Sequence, residues 1–396
     1  MPSERLTVGI FADLPPTVGG GVNQFARGLV GSLAARDTWE LDLVVFAAAG
    51  AAGQVPASPS VTVVEVPAVK FARGAAKWWE RARRYRRVLR ELASGDTDEA
   101  RFTVRRWGRQ RAMRTALRRA PRRLDVIHFP FQDFVPVNAP SIFCPWDLQH
   151  RHLADLWTRR AAAERDAYYR RGCALADLVV LASEWAREDL IRQFGVPREK
   201  TTVVRIAPPT RLAEPPTPEF CEGVRGRYGL PPRFILYPAV TWPHKNHVGL
   251  INALAEVVHS TRSDLHLVCC GKNGRNMDKI GAHITRLGMS DLVHFLGHVD
   301  GQEVRALYRL ALLCAFPTLF EGAGLPVLEA FDEGCPLVAA NVTCVPEYAG
   351  NAALLFNPRN TGEMAGAIRS VAESDQLRSD LIARGDDESE HTRGSA

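Results

Sequence analysis

Residues Thr318–Glu329 read TLFEGAGLPVLE. The apolar run Leu313–Phe316 before them has strand length, a Gly-containing loop carries Glu321, and a helix expected from about Leu325 carries Glu329. Strand, short loop and helix in that order form the repeating unit of a parallel α/β sheet. The loop also points to a ligand. Amides of Gly322, Ala323 and Gly324 at a helix N-terminus are unpaired donors, and the helix dipole favours negative charge, so a phosphate or diphosphate fits there. An ordinary capped helix start is the plain alternative.

The same alternation extends in both directions. Towards the N-terminus, strands are expected at Leu6–Phe11, Leu41–Phe46, Val61–Val66, Leu124–Phe129, Ser141–Cys144, Leu178–Ala182 and Thr202–Ile206. Around the quoted loop, further strands are expected at Phe234–Tyr237, Leu265–Cys269, Val293–Leu296, Leu337–Ala339 and Leu354–Phe356. Between strands, Val22, Phe25, Ala26, Leu29, Val30 and Leu33 recur at helical spacing and form one apolar face. Ser183 is an expected N-cap for a helix over Glu184–Phe194, which Gly195 and Pro197 end. The segment Ala207–Pro218 (APPTRLAEPPTP) holds five prolines in twelve residues and suits a stiff connection without regular structure. The expected organisation is therefore two Rossmann-like domains in tandem, residues 1–212 and 213–383. Such domains place ligands at the carboxyl ends of their strands, and a cleft between the two is the default site. Residues 384–396 (RGDDESEHTRGSA) are polar and carry no apolar stripe, so they read as a disordered tail.

A chain of 396 residues with 46% hydrophobic and 24% charged residues is neither a small stapled scaffold nor a disordered protein. The N-terminus does not read as a secretion signal. The long uncharged stretch Leu43–Val64 contains Gln54, Pro56, Ser58, Pro59 and Ser60, which a lipid-exposed helix would not carry together. The eight cysteines show no CxxC spacing, so buried reduced thiols and a cytoplasmic location are expected.

Charge is concentrated. Phe71–Arg123 carries eighteen Lys and Arg against five Asp and Glu, a net +13 that leaves the rest of the chain at −7. This segment reads as two helices inserted in the first domain, with Trp78, Trp79 and Trp107 among the arginines. It is either a solvated hairpin or a basic face that meets anionic lipid or a lipid-linked phosphate, with Trp at the interface, at the inner face of the membrane. Nucleic-acid binding is the third reading and has only the charge to support it. Asp96-Thr97-Asp98 imitates a metal-binding DxD, but its place at the turn of the hairpin is where Asp serves turn chemistry.

Other candidate positions lie at strand ends. Gly19-Gly20-Gly21 permits close backbone approach to a ligand, yet Asn23 and Gln24 occupy the place of a third glycine in GxGxxG, so no dinucleotide cofactor is expected. His128 ends one strand, and Asp147 and His150 lie in CPWDLQHRH. His150 and His152 have no evident third partner for a metal. Tyr237–His247 (YPAVTWPHKNH) puts His244 and Lys245 at a loop-to-helix start.

With Glu321 and Glu329 separated by seven residues inside FEGAGLPVLE, the chain resembles the retaining glycosyltransferases of family four, which have the two-domain GT-B architecture. The resemblance covers nearly the whole chain and is strongest in the second half. It implies that Glu321 contacts the transferred sugar, Glu329 the ribose, and Lys245 the departing diphosphate, with the amides at Gly322, Ala323, Gly324 and Leu325 beside it. It implies further that Gly20 and Gly21 face the donor, that His128 is functional, that Asp147 and His150 lie on the acceptor side, and that GKNG from Gly271 and FLGHV to Val299 wrap the base. Many members have Arg five residues before this Lys, where this chain has Val240, and His244 is then a partial substitute. Their His commonly lies two positions after His128, where Pro130 stands, and their closing C-terminal helix has no counterpart in the polar tail. The implied activity moves a hexose of mannose or N-acetylglucosamine type from a nucleotide diphosphate sugar to a hydroxyl acceptor, lipid-linked or a secondary metabolite, with no metal and no cofactor. A nucleotide-sugar epimerase of the same architecture, and a nucleic-acid-binding protein acting through the basic hairpin, are the alternatives. A catalytically dead sugar-binding protein should lack the glutamate pair.

Overall fold

A computed structural model describes residues 5–12, 21–35, 41–48, 50–67, 108, 110–208, 211, 213–274 and 276–394. All thirteen expected strands are present: β1 (Leu6–Ala12), β2 (Leu41–Ala48), β3 (Val61–Val66), β4 (Val126–Phe129), β5 (Ser141–Phe143), β6 (Leu178–Leu181), β7 (Thr201–Val203), β8 (Phe234–Pro238), β9 (His266–Cys270), β10 (Val293–Phe295), β11 (Leu313–Phe316), β12 (Leu337–Ala340) and β13 (Ala353–Phe356). They form a seven-stranded sheet in the order β3-β2-β1-β4-β5-β6-β7 and a six-stranded sheet in the order β10-β9-β8-β11-β12-β13. Neighbours from β3 through β6, and all neighbours in the second sheet, run parallel. Parallel strands covered on both faces need uninterrupted apolar runs, and Leu43–Ala47, Phe234–Tyr237 and Leu313–Phe316 are each buried throughout.

Both sheets reverse direction of growth once. In the first this happens between β1 and β4, and in the second between β8 and β11, and loops leaving such paired carboxyl ends diverge to leave a crevice. The loop after β8 carries Lys245, and the loop after β11 carries Glu321.

Local signals are met where they were strongest. The helix Glu184–Phe194 has Ser183 as N-cap, its hydroxyl accepting from the Ala186 amide at 3.1 Å, and Gly195 closes it in the left-handed region at φ 66°. Among the Pro-rich residues, Pro218 is not in an irregular connection: it is the first residue of the helix Pro218–Tyr228, where a missing N–H costs nothing, with Thr217 as cap. Residues 71–107 and 109 of the basic segment, Trp78, Trp79 and Trp107 among them, lie outside the described residues, while residue 108 and residues 110–117 are helical.

By compactness the chain divides into one unit of residues 1–18, 22–145 and 158–180 and another of 19–21, 146–157 and 181–396. By that division residues 146–157 and 181–208 group with the second unit, while β7 (Thr201–Val203) remains a strand of the seven-stranded sheet.

The polar C-terminus is helical up to Gly394, contrary to the expectation of disorder. Residues Asp375–Gly394 are one helix, so residues 384–394 continue it and are no disordered tail. Leu381 and Ser389 are buried, Gly385 packs against the Phe331 ring, and the Ser389 hydroxyl donates to Asp332 Oδ1 at 2.5 Å. Arg211 grips the same carboxylate with two bonds of 2.7 and 2.8 Å.

Candidate active site

Two loops of the second unit are fastened together by their backbones. The Leu319 amide donates to the His244 carbonyl at 2.8 Å, and the Thr318 hydroxyl to the same oxygen at 3.3 Å. Asn246, at φ 57° as the short turn Pro243–Lys245 ends, donates from Nδ2 to the Pro317 carbonyl at 3.1 Å and the Pro358 carbonyl at 2.9 Å. Asparagine tolerates this left-handed conformation better than most residues. The Tyr237 hydroxyl holds the Lys245 carbonyl at 2.6 Å. These bonds place the Lys245 ammonium directly on Glu321 Oε1, with both side chains largely buried and the ammonium 5.8 Å from the centre of the Phe316 ring. Desolvation strengthens such a pair but also makes either partner costly to leave alone.

Beside the pair the chain turns into the helix Leu325–Asp332, with Gly324 as its N-cap and Pro326 in the first turn. Among the described residues nothing accepts from the amides of Gly322, Ala323 and Gly324. A side chain at Gly322 would come within 2.9 Å of Asp147 Cβ, and one at Gly324 within 2.7 Å of the Tyr348 ring, so glycine is required at both by space. Asp147 therefore lies against the Glu321 loop, where its Oδ1 also accepts from the Gln149 amide at 3.0 Å. Trp146 before it has φ 70°.

The other glutamate has different surroundings. Glu329 Oε2 accepts from the Tyr308 hydroxyl at 3.1 Å. Burial raises its carboxyl to about 7, helped by the nearby Asp332 and Glu333 and opposed by the Tyr308 bond. His244 is buried, and desolvation followed by repulsion from Lys245 and His247 lowers it to about 3, so it is neutral and adds no charge in place of the missing arginine. Gly271 (φ 138°) has no room for a side chain, which would lie 2.6 Å from the Ala239 carbonyl. Val299 is in the core of the second unit. His150 is buried with its ring 6.2 Å from Trp157, and His152 bonds Asp189 at 2.7 Å, so neighbouring histidines serve different partners.

His128 lies in the first unit at the carboxyl end of β4. Its Nε2 is 3.2 Å from Cys144 Sγ, and burial lowers it to about 4, which makes it neutral at physiological pH. Gly20 is outside the described residues, and Gly21 is the first residue of the helix Gly21–Ala35. The second unit thus brings together Lys245, Glu321, Gly322, Ala323, Gly324, Leu325 and Asp147.

Three contributors went unnoticed in the sequence. Thr343 accepts from the Glu321 amide, Tyr308 holds Glu329, and Glu347 accepts from the amides of Glu184 and Trp185 at 3.0 and 3.1 Å. None carries a local signal except Tyr308, whose apolar helix face is consistent with ordinary core. Among the described residues no helix is long and apolar enough to cross a membrane, and all eight cysteines are free and buried.

Residues 227–388 match the family described as Glycosyl transferases group 1, and residues 19–206 match Glycosyltransferase Family 4. An O-antigen chain mannosyltransferase B from Escherichia coli is 30% identical over 211 residues, covering 53% of this chain and 55% of that protein. The chain's matches span about a third to just over half the length of the first such relatives. Sucrose-phosphate synthase from Thermosynechococcus elongatus superimposes with a TM-score of 0.71 at 17% identity, over 99% of this chain and 95% of that one. Anabaena HepE, solved in complex with UDP and glucose, gives 0.66 at 18% over 99% of each. Together with two parallel Rossmann-like sheets, these matches make the chain a member of the group 1 glycosyltransferases of family-four type, with the GT-B fold.

Proposed function

We propose that the chain transfers a hexose of mannose type from a nucleotide diphosphate sugar to a hydroxyl acceptor, with retention at the anomeric carbon and without a metal. The observation that carries this reading is the Lys245–Glu321 pair beside the amides of Gly322, Ala323 and Gly324, which have no acceptor among the described residues, at the point where the second sheet reverses. A diphosphate bound there would meet the Lys245 ammonium and backbone amides at a helix start, which act where charge develops as the sugar departs. The bond from the anomeric carbon to the β-phosphate oxygen breaks, the acceptor oxygen bonds to the same face, and the acceptor proton passes to that phosphate oxygen. Glu321 orients the sugar through its hydroxyls, Glu329 holds the ribose, and neutral His128 supplies a hydrogen bond and not a proton. Asp147 and His150 lie on the acceptor side. Gly271 and Val299 lie on the side that would wrap the base.

The mannosyltransferase name of the relative supports the sugar, and the solved neighbour with UDP and glucose supports a nucleotide-linked donor. The acceptor is lipid-linked or a secondary metabolite. Work at the cytoplasmic face of an anionic membrane suits the net +13 of residues 71–123. A thermal-shift screen against uridine, guanosine and thymidine diphosphate sugars tests the donor. A ligand at about one hundred times its dissociation constant should stabilise by about 2.7 kcal/mol. No shift with any of them overturns the donor reading, and an inverted product by NMR overturns retention.

A further inference from the structure

Thr343 lies in the loop that follows β12, the strand beside β11. Its φ is 50°, in the left-handed region where a β-branched residue is a marked outlier. The backbone alone would favour glycine there. Glycine, however, has no hydroxyl, and the Thr343 Oγ1 accepts from the Glu321 N–H at 3.1 Å. The next residue completes the grip, because the buried Cys344 thiol donates to the Glu321 carbonyl at 3.5 Å. Both polar backbone atoms of Glu321 are thus held by two consecutive residues of a neighbouring loop.

We infer that Thr343, assisted by Cys344, is a positioning residue for Glu321: its hydroxyl fixes the Glu321 peptide so that the carboxylate stays on Lys245. Backbone strain is retained at this point because the hydroxyl is needed there. Sequence signal for this is lacking, since Thr343 and Glu321 are separated by a helix and a strand. The inference rests on the role proposed for Glu321.

Three variants separate positioning from mere support. Thr343→Gly relieves the backbone and removes the hydroxyl, Thr343→Val keeps the shape and removes it, and Thr343→Ser keeps it. Hydrogen exchange of residues 318–329 needs no substrate. Exchange at the Glu321 amide should speed by roughly tenfold or more in the Gly and Val variants and stay near wild type in Ser, as loss of one hydrogen bond implies. Release of nucleoside diphosphate from GDP-mannose and from UDP-glucose is measured alongside. The Gly variant should lose roughly tenfold or more in kcat at nearly constant donor KM, while its Tm holds or rises. Unchanged exchange in Gly and Val, or a kcat loss that simply follows Tm across the series, overturns the inference. Glu321→Ala distinguishes the two claims: if it abolishes turnover while Thr343→Gly does not, positioning fails alone; if it turns over like wild type, the role of Glu321 fails and the inference with it.

Discussion

Seven residues separate Glu321 from Glu329 in one short stretch, yet the fold gives them opposite electrostatic settings. Glu321 leaves an open loop and meets an ammonium, whereas Glu329 follows one turn into a buried helix and meets a neutral phenol. The ammonium favours a carboxylate. Enclosure without a cation disfavours one, which is why Glu329 is raised to about 7. Sequence spacing alone does not distinguish a paired carboxylate from a desolvated one.

The largest expected effect tests the loop. Lys245→Ala should cut turnover by roughly 10² or more, because it removes a charge aimed at the developing diphosphate. It also leaves Glu321 largely buried without its partner. A loss below about fivefold would show that the diphosphate is neutralised elsewhere.

On the helix, Glu329→Ala should mainly raise the donor KM, since ribose is held before and during the transition state alike. Unchanged donor affinity breaks the comparison. The pH dependence sharpens it. If the carboxylate form binds ribose, donor affinity should fall as pH drops through about 7 and the group takes up its proton. A donor KM flat between pH 5.5 and 8.5 would count against the role.

Stability carries the same sign in reverse. With its folded value raised from 4.5 to about 7, Glu329 binds its proton more tightly in the native state, so its contribution declines as pH rises between those values. Glu329→Gln should therefore melt higher than wild type at pH 8, by an amount on the order of 1–3 kcal/mol, and show no such gain at pH 4.5. Equal melting differences at both pH values would contradict the assigned environment. The smallest effect concerns the far end of the same helix. Ser389→Ala removes the hydroxyl that donates to Asp332 and accepts from Arg211 and should cost about 1 kcal/mol, read from chemical denaturation, with turnover unchanged.

Much of the fold was legible because its signals are local. Apolar runs of strand length, Ser183 before Glu184, and Gly195 after Phe194 act within a few residues of themselves, and each element appears where those residues require it. The Asp375–Gly394 helix escaped for the opposite reason. Its sequence is polar, and among its holds are a serine on Asp332, a glycine against Phe331, a buried leucine and Arg384 on the Asn351 carbonyl, all decided by distant partners.

The site divides along the same line. By itself the sequence determined the strand order in time, the glycine loop, the two glutamates and a lysine at a loop-to-helix start, since each is written in adjacent residues. Only the tertiary structure decided that β8 and β11 are neighbours, so that Lys245 meets Glu321 across 76 residues, and that a strained threonine from the next loop holds the Glu321 backbone. It also decided that Glu329 and His128 are desolvated. Pairing and burial are properties of packing, and no residue carries either one until the sheets have formed.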